Sequence, residues 1–197
     1  MPSFCGMICQ SGFAAMRAEG DVGARAIASI DPRCVGALTG VTKLGWIPAL
    51  NMHTLNRAFL DLAGESRYIA MWKRHTLGTS ELAFFQGLFA SAIRIFGKTP
   101  MGLTRWIGRA WDVTTRDHGT VTVTNTDDRV LVRLTGCPDG ACHETLALSM
   151  KATVIALLEM AGCVADVDMD TTSLATQGSY TIVGRWSEAV IAANDRR

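Results

Sequence analysis

The stretch GTVTVTNTDDRVLVRLTG, residues 119–136, decides the fold. Threonine and valine alternate over 120–126, Asp127-Asp128 supply a turn, and valine, leucine and arginine alternate again over 129–136. Side chains of a strand alternate between its two faces, so two such runs around an acidic turn predict an antiparallel hairpin with one buried face. Downstream, TLALSMKATVIALLEMAG (145–162) is long and apolar enough for a helix, closed by Gly162. Alternation returns in CVADVDMDT (163–171), and Gln177-Gly178 turns the chain into SYTIVGRW (179–186). Two hairpins flanking one helix predict a four-stranded antiparallel sheet of ββαββ order with that helix on one face.

Upstream of Gly119 the pattern is helical. DVGARAIASI (21–30) reads as a short amphipathic helix capped by Asp21 and ended by Asp31-Pro32. Another starts at Pro48 and stops at Gly64, with Leu50, Leu55, Phe59 and Leu62 at helical spacing. Glu65 to Thr76 carries Tyr68, Met71, Trp72 and His75. In TSELAFFQGLFASAIRIF (79–96), Leu82, Phe85, Phe89, Ile93 and Phe96 form one apolar stripe and Phe84, Leu88 and Ile95 a second. A helix apolar on two faces is central to a fold or half-covered by a partner. After Gly97 and Pro100 the chain restarts as a helix through Trp106 and Trp111. The expected class is α+β: N-terminal helices (about 10–115) packed with a ββαββ part (about 119–187), a single domain over 1–197 with a frayed tail at 188–197.

Composition narrows the function. Lysine and arginine number 19 against 18 acidic residues, a net charge of +1. A nucleic-acid binder would show a basic excess or stripe, which is absent. No run reaches the roughly 18 consecutive apolar residues of a membrane span, and MPSFCGMICQSGF lacks the basic start of an export signal. A cytoplasmic protein is expected, and in that compartment the six cysteines read as free thiols. Cys5-x3-Cys9 and Cys137-x4-Cys142-His143 are the nearest approaches to metal-ligand spacing, and the turn residues between the second pair explain themselves without a metal. Neither a metal nor any other cofactor is expected.

Catalytic readings fare no better. His53 is expected half-buried on its helix and His118 solvated in a connector. Cys142 and His143 are adjacent, so they point apart rather than forming a nucleophile and base. Asp166, Asp168 and Asp170 share one face of a strand, the pattern of a solvent-facing edge. No glycine-rich phosphate loop occurs. The constellation that suits a function is apolar. Trp72, His75, Phe85, Phe89, Trp106 and Trp111 are the candidate walls of a ligand cavity, with the imidazole meeting a polar group and the indoles covering an apolar face. Phe84, Leu88 and Ile95 are the candidate homodimer interface. The alternative is a scaffold or adaptor for a protein partner, its core filled by its own side chains.

The segment from Trp46 to Pro48, the helices ending in Trp111, the strand after Gly119, RLTGCP (133–138) and GSYTIVGRW (178–186) together resemble the 4-vinyl-reductase-type domain. That domain belongs to a superfamily shared with TRAPP vesicle-tethering subunits and haem nitric-oxide-binding domains. The resemblance spans residues 25–187 and is nearest to bacterial, myxobacterial-type paralogous proteins. It implies helices packed on a four-stranded sheet around an apolar cavity, dimers, and small apolar ligands or protein partners. The last hairpin, TTSLATQGSY, lacks the cysteines with which many such domains hold zinc. The haem relatives carry a Tyr-x-Ser-x-Arg clamp and an axial histidine, and no such triplet occurs here; the lipidated cysteine of TRAPP subunits has no counterpart. The resemblance therefore implies a regulatory or sensory binding module without zinc or haem.

Overall fold

The computed structural model describes residues 1–79, 93, 94 and 97–187. Strand β1 (Ser3–Cys5) leads into helix α1 (Gly6–Arg17), followed by α2 (Asp21–Ala28), α3 (Pro32–Gly40), strand β2 (Trp46–Pro48), α4 (Ala49–Ala63) and α5 (Glu65–Thr79). Then come α6 (Pro100–Thr104), α7 (Trp106–Thr114), β3 (Thr115–Arg116), β4 (Thr120–Asn125) and β5 (Arg129–Thr135). The chain closes with α8 (Glu144–Met160), β6 (Ala165–Asp170), the single turn α9 (Leu174–Gln177) and β7 (Tyr180–Trp186). The class is α+β, as the sequence predicts.

The larger sheet has the order β4-β5-β7-β6, with every neighbouring pair antiparallel. Val130, Val132 and Leu134 of β5 and Tyr180, Ile182 and Trp186 of β7 point to the same, buried face. Helix α8 covers that face. Its buried residues lie all around the cylinder, including Leu146, Leu148, Met150, Val154 and Leu158, so it is a central helix rather than a surface one. Gly184 of β7 makes the approach possible: a Cβ there would sit 2.9 Å from Leu158 Cδ1 and 3.1 Å from Val154 Cγ1. Asp166, Asp168 and Asp170 lie on the opposite, solvent face, where Arg185 Nη1 donates to Asp168 Oδ2 at 2.6 Å.

Helix α5 packs along the other side of α8. Tyr68 Oη donates to the Thr145 carbonyl at 2.9 Å, Thr76 Oγ1 lies 3.4 Å from Thr153 Oγ1, and Lys73 pairs with Glu159 at 3.0 Å. At the far side of α5, Arg67 holds Glu19 by Nε and its carbonyl by Nη2, and Arg74 contacts the same carboxylate. These contacts fix α5 between α1 and α8.

The three-stranded sheet β2-β1-β3 is absent from the sequence reading. Its strands hold three, three and two residues, too few for alternation to register. Phe4 pairs with Ile47 on one side and Thr115 on the other, tying the first residues of the chain to the end of α7. Asp21 also differs from expectation. Gly20, at φ +66°, takes the cap position, and Asp21 is the acid of the first turn, still favourably placed against the helix dipole.

The glycines at two turns separate steric from conformational demand. Gly178 sits at φ +56° with its Cα facing the main chain, where a Cβ would come 2.1 Å from the Cys137 carbonyl oxygen. Gly140 has φ +76° but open space around it. Gly178→Ala is expected to cost well over about 2 kcal/mol and Gly140→Ala only about 1 kcal/mol, read by urea unfolding. Equal costs would mean that the Cys137–Gly178 approach does not constrain the fold.

Candidate functional site

Residues of α1, α4, α5, α7 and α8 line a cavity of about 420 Å³. That is within the usual range for small-molecule sites, roughly 300–1,000 Å³. Phe4 and Ile8 come from the N-terminal strand and helix, and Met52 and Asn56 from α4. Trp72, His75 and Thr76 come from α5, Trp106, Ile107 and Trp111 from α7, and Leu146, Ser149, Met150, Thr153 and Leu157 from α8. Four of the six residues named from sequence as cavity walls, Trp72, His75, Trp106 and Trp111, therefore lie on one cavity. Phe85 and Phe89, and the interface candidates Phe84, Leu88 and Ile95, lie outside the described residues.

The wall is apolar with few polar points, and their hydrogen bonds define what they can offer. Thr76 donates to the Trp72 carbonyl at 3.0 Å, Ser149 to Leu146 at 2.9 Å and Thr153 to Ser149 at 3.0 Å. Each hydroxyl proton is spent on its own helix, so these oxygens retain acceptor capacity. The indole N–H groups of Trp72 and Trp106 are buried with no acceptor among the described residues. Trp111 Nε1 is satisfied, donating to the Gly119 carbonyl at 3.2 Å. His75 Nε2 lies 2.8 Å from Ser11 Oγ, and the ring meets Trp72 edge-on at 4.8 Å. Burial pushes the His75 imidazole down to about 4, so it is neutral at physiological pH. Gly12 of α1 gives Trp72 its room, since a Cβ there would sit 3.0 Å from the indole.

Two histidines occupy positions other than those expected. His53 is not half-buried and His118 is not solvated: they are 2% and 1% exposed. The short sheet explains both. It brings the Gly119 connector and α4 together around Phe4, whose ring lies 5.6 Å from His53 and 4.4 Å from His118. His143 stacks on His53 at 4.6 Å. Neither nitrogen of His53 has a hydrogen-bond partner among the described residues. His118 Nδ1 donates to the Arg116 carbonyl at 3.0 Å, which leaves its buried Nε2 as an unmatched acceptor. Burial, then His143 and His118, push His53 down to about 3. Among the described residues no three His, Cys, Asp or Glu side chains are arranged to hold a metal ion. No helix of the described residues is long and apolar enough to cross a membrane.

No protein-family model matches the sequence, and no curated protein is significantly similar to it. The fold, however, is that of solved H-NOX domains. The Fe(II) unliganded H-NOX protein from K. algicida is 12% identical with a TM-score of 0.65, covering 94% of this chain and 98% of its own. An oxygen-bound H-NOX domain related to soluble guanylate cyclases is 9% identical with a TM-score of 0.60, covering 94% and 96%. An H-NOX structure solved to probe haem distortion is 8% identical with a TM-score of 0.63, covering 93% and 95%. The resemblance to 4-vinyl-reductase-type and TRAPP-like domains is thereby corrected: these matches place the architecture with H-NOX domains. Scattered glycines and tryptophans mark element ends that related architectures share, so they could not separate one branch from another.

A haem group needs an imidazole, thiolate, thioether or phenolate aimed at its iron. In the described wall His75 is the one imidazole, and its Nε2 is engaged with Ser11. Among the described residues no cysteine or tyrosine lines the cavity, and its methionines, Met52 and Met150, are packed among the core residues. Residues 80–96 contain no His, Cys, Tyr or Met. Arg109, the one cation of that wall, lies 5.5 Å from the centre of the Trp106 ring. The residues present do not fit haem.

His53 binds fewer protons folded than unfolded between its folded value of about 3 and its ordinary 6.5, so stability falls as pH drops through that window. His53→Leu is expected to remove about 2 kcal/mol of the stability lost between pH 7 and pH 5. The measurement is denaturant unfolding at both pH values. An unchanged pH difference would show that His53 is already charged in the fold.

Proposed function

We propose that the protein is a sensory or regulatory binding module whose cavity holds a neutral, largely apolar or aromatic small molecule. The cavity itself carries this reading: about 420 Å³ walled by Trp72, Trp106 and Trp111, with a neutral His75 among them. The threonine and serine oxygens would accept from a hydroxyl or N–H on the ligand, and the unpaired indole N–H groups would donate to an oxygen. An ionised ligand would lose its hydration against a wall holding one arginine and one aspartate, so a neutral molecule is favoured. The H-NOX likeness supports a sensory role, since one matched domain is an oxygen complex. The ligand-sized void favours this reading over an adaptor with a filled core. Self-association through Phe84, Leu88 and Ile95 is proposed alongside it.

Native mass spectrometry of the purified chain is expected to show a retained molecule, or uptake of a neutral aromatic probe such as naphthol. Ser149→Phe, which projects a ring into the void, should weaken naphthol binding at least about tenfold, or about 1.4 kcal/mol, while the thermal midpoint holds. Haemin added in equal amount should give no ligated Soret band. Undiminished naphthol binding by Ser149→Phe, or a Soret band abolished by His75→Ala, would overturn the reading. In the same spectra a dimer is expected; a monomer at micromolar concentration would end the self-association proposal.

A further inference from the structure

The outer face of the four-stranded sheet carries a second hollow, of about 250 Å³, polar where the tryptophan-lined cavity is apolar. Strand register builds it. Thr181 of β7 is paired with Arg133 of β5 on one side and with Asp170 of β6 on the other. Directly opposed residues send their side chains to the same face, so the three stand in one row across the solvent side of the sheet. With neighbouring strands about 4.8 Å apart, the backbones of Arg133 and Asp170 lie roughly 10 Å apart. Thr135 and Ser179 also line the hollow, and Ser173 and Gln177 join them from the turn that contains α9. That turn is pinned to the sheet: Cys137 N–H donates to the Gly178 carbonyl at 3.1 Å, and Gly178 N–H to the Leu174 carbonyl at 3.2 Å.

The polar groups of this wall are largely unspent. The Arg133 guanidinium makes no ion pair with a described residue, and the hydroxyls of Thr135, Ser173, Ser179 and Thr181 make no hydrogen bond with one. Asp170 is engaged through one oxygen: Oδ1 accepts from the Thr172 N–H at 2.9 Å and from its hydroxyl at 2.8 Å. Those bonds hold the Asp170 carboxyl below its ordinary value and fix its position, while Oδ2 has no partner among the described residues. Elsewhere on the same face the charges meet, since Arg185 pairs with Asp168 at 2.6 Å. In the hollow the arginine and the aspartate are held apart with a void between them.

We propose that this hollow binds a small zwitterion of the α-amino acid class, its carboxylate on Arg133 and its ammonium on Asp170. Charge decides the class. A simple anion would meet Asp170, a simple cation would meet Arg133, and a neutral sugar would leave both charges unmatched, whereas a zwitterion answers both. A guanidinium can grip a carboxylate through two parallel hydrogen bonds, and an ammonium can donate to Asp170 Oδ2. The threonine and serine hydroxyls can take up the remaining donors and acceptors. The volume is below the roughly 300–1,000 Å³ of drug-sized ligand sites, which suits a molecule of this size. Both charged side chains are exposed, so water and salt weaken the pairing and binding is expected in the millimolar range.

The test is amide NMR of the full chain labelled with nitrogen-15, titrated with glycine, L-alanine, L-serine and L-glutamine. At least one is expected to give saturable shifts centred on residues 133–135 and 170–181. N-acetyl-L-alanine, which lacks the ammonium, L-alanine methyl ester, which lacks the carboxylate, and glucose should each bind at least about tenfold more weakly than the best amino acid. Arg133→Gln and Asp170→Asn should each weaken that amino acid by a similar factor, with the spectrum itself reporting that the variant is folded. The acetyl, ester and glucose comparisons decide on the wild-type chain even if a variant unfolds. Ser149→Phe, which fills the other cavity, should leave this binding unchanged. No saturable shifts at millimolar concentration, shifts centred elsewhere, a control that binds as tightly as the best amino acid, or undiminished binding by either folded variant would overturn the proposal.

Discussion

Helix α8 is held between two partners, and that sandwich is the constraint from which the rest follows. One side meets the sheet so closely that Gly184 cannot carry a side chain without pressing on Val154 and Leu158. The other side meets α5 through paired positions, Tyr68 with Thr145 and Thr76 with Thr153. A helix buried on both sides has no single amphipathic stripe to choose, and its buried residues lie all around it. Its placement then sets the distance between the sheet and the helical half.

The cavity is a consequence of that distance. Close packing normally leaves few voids larger than a water molecule. Here α5 and α7 line the void with the indoles of Trp72, Trp106 and Trp111, and the short β2-β1-β3 sheet ties Phe4, another wall residue, to the end of α7. The void lies in an architecture shared with H-NOX domains, yet among the described residues its wall holds one imidazole, His75, engaged with Ser11, and no cysteine or tyrosine. Scaffold and cofactor separate cleanly, since packing of helices on a sheet requires no haem, whereas haem requires a particular side chain.

Much of the larger sheet was legible because each of its strands runs six or seven residues, long enough for a period of two to show. The Val130, Val132, Leu134 face and the solvent position of Asp166, Asp168 and Asp170 follow from that period alone. Trp72, His75, Trp106 and Trp111 could be named from side-chain chemistry, although nothing in their spacing places two helices around one void. His53 and His118 could not be read as buried. Their environment is created by Phe4, about 50 and 114 positions away along the chain, through pairing of strands too short to leave a periodic trace. The likeness of the fold to H-NOX domains was equally hidden, because glycine and tryptophan positions mark turns and packing points common to several architectures.

Local pattern, then, determined the element types, the two hairpins, the central helix and the apolar character of the helical half, since these depend on residues a few positions apart. Tertiary structure decided which residues share a wall, which histidines lose water, and that the fold is the H-NOX one. Those are properties of contacts between distant segments, and a one-dimensional period carries no information about them.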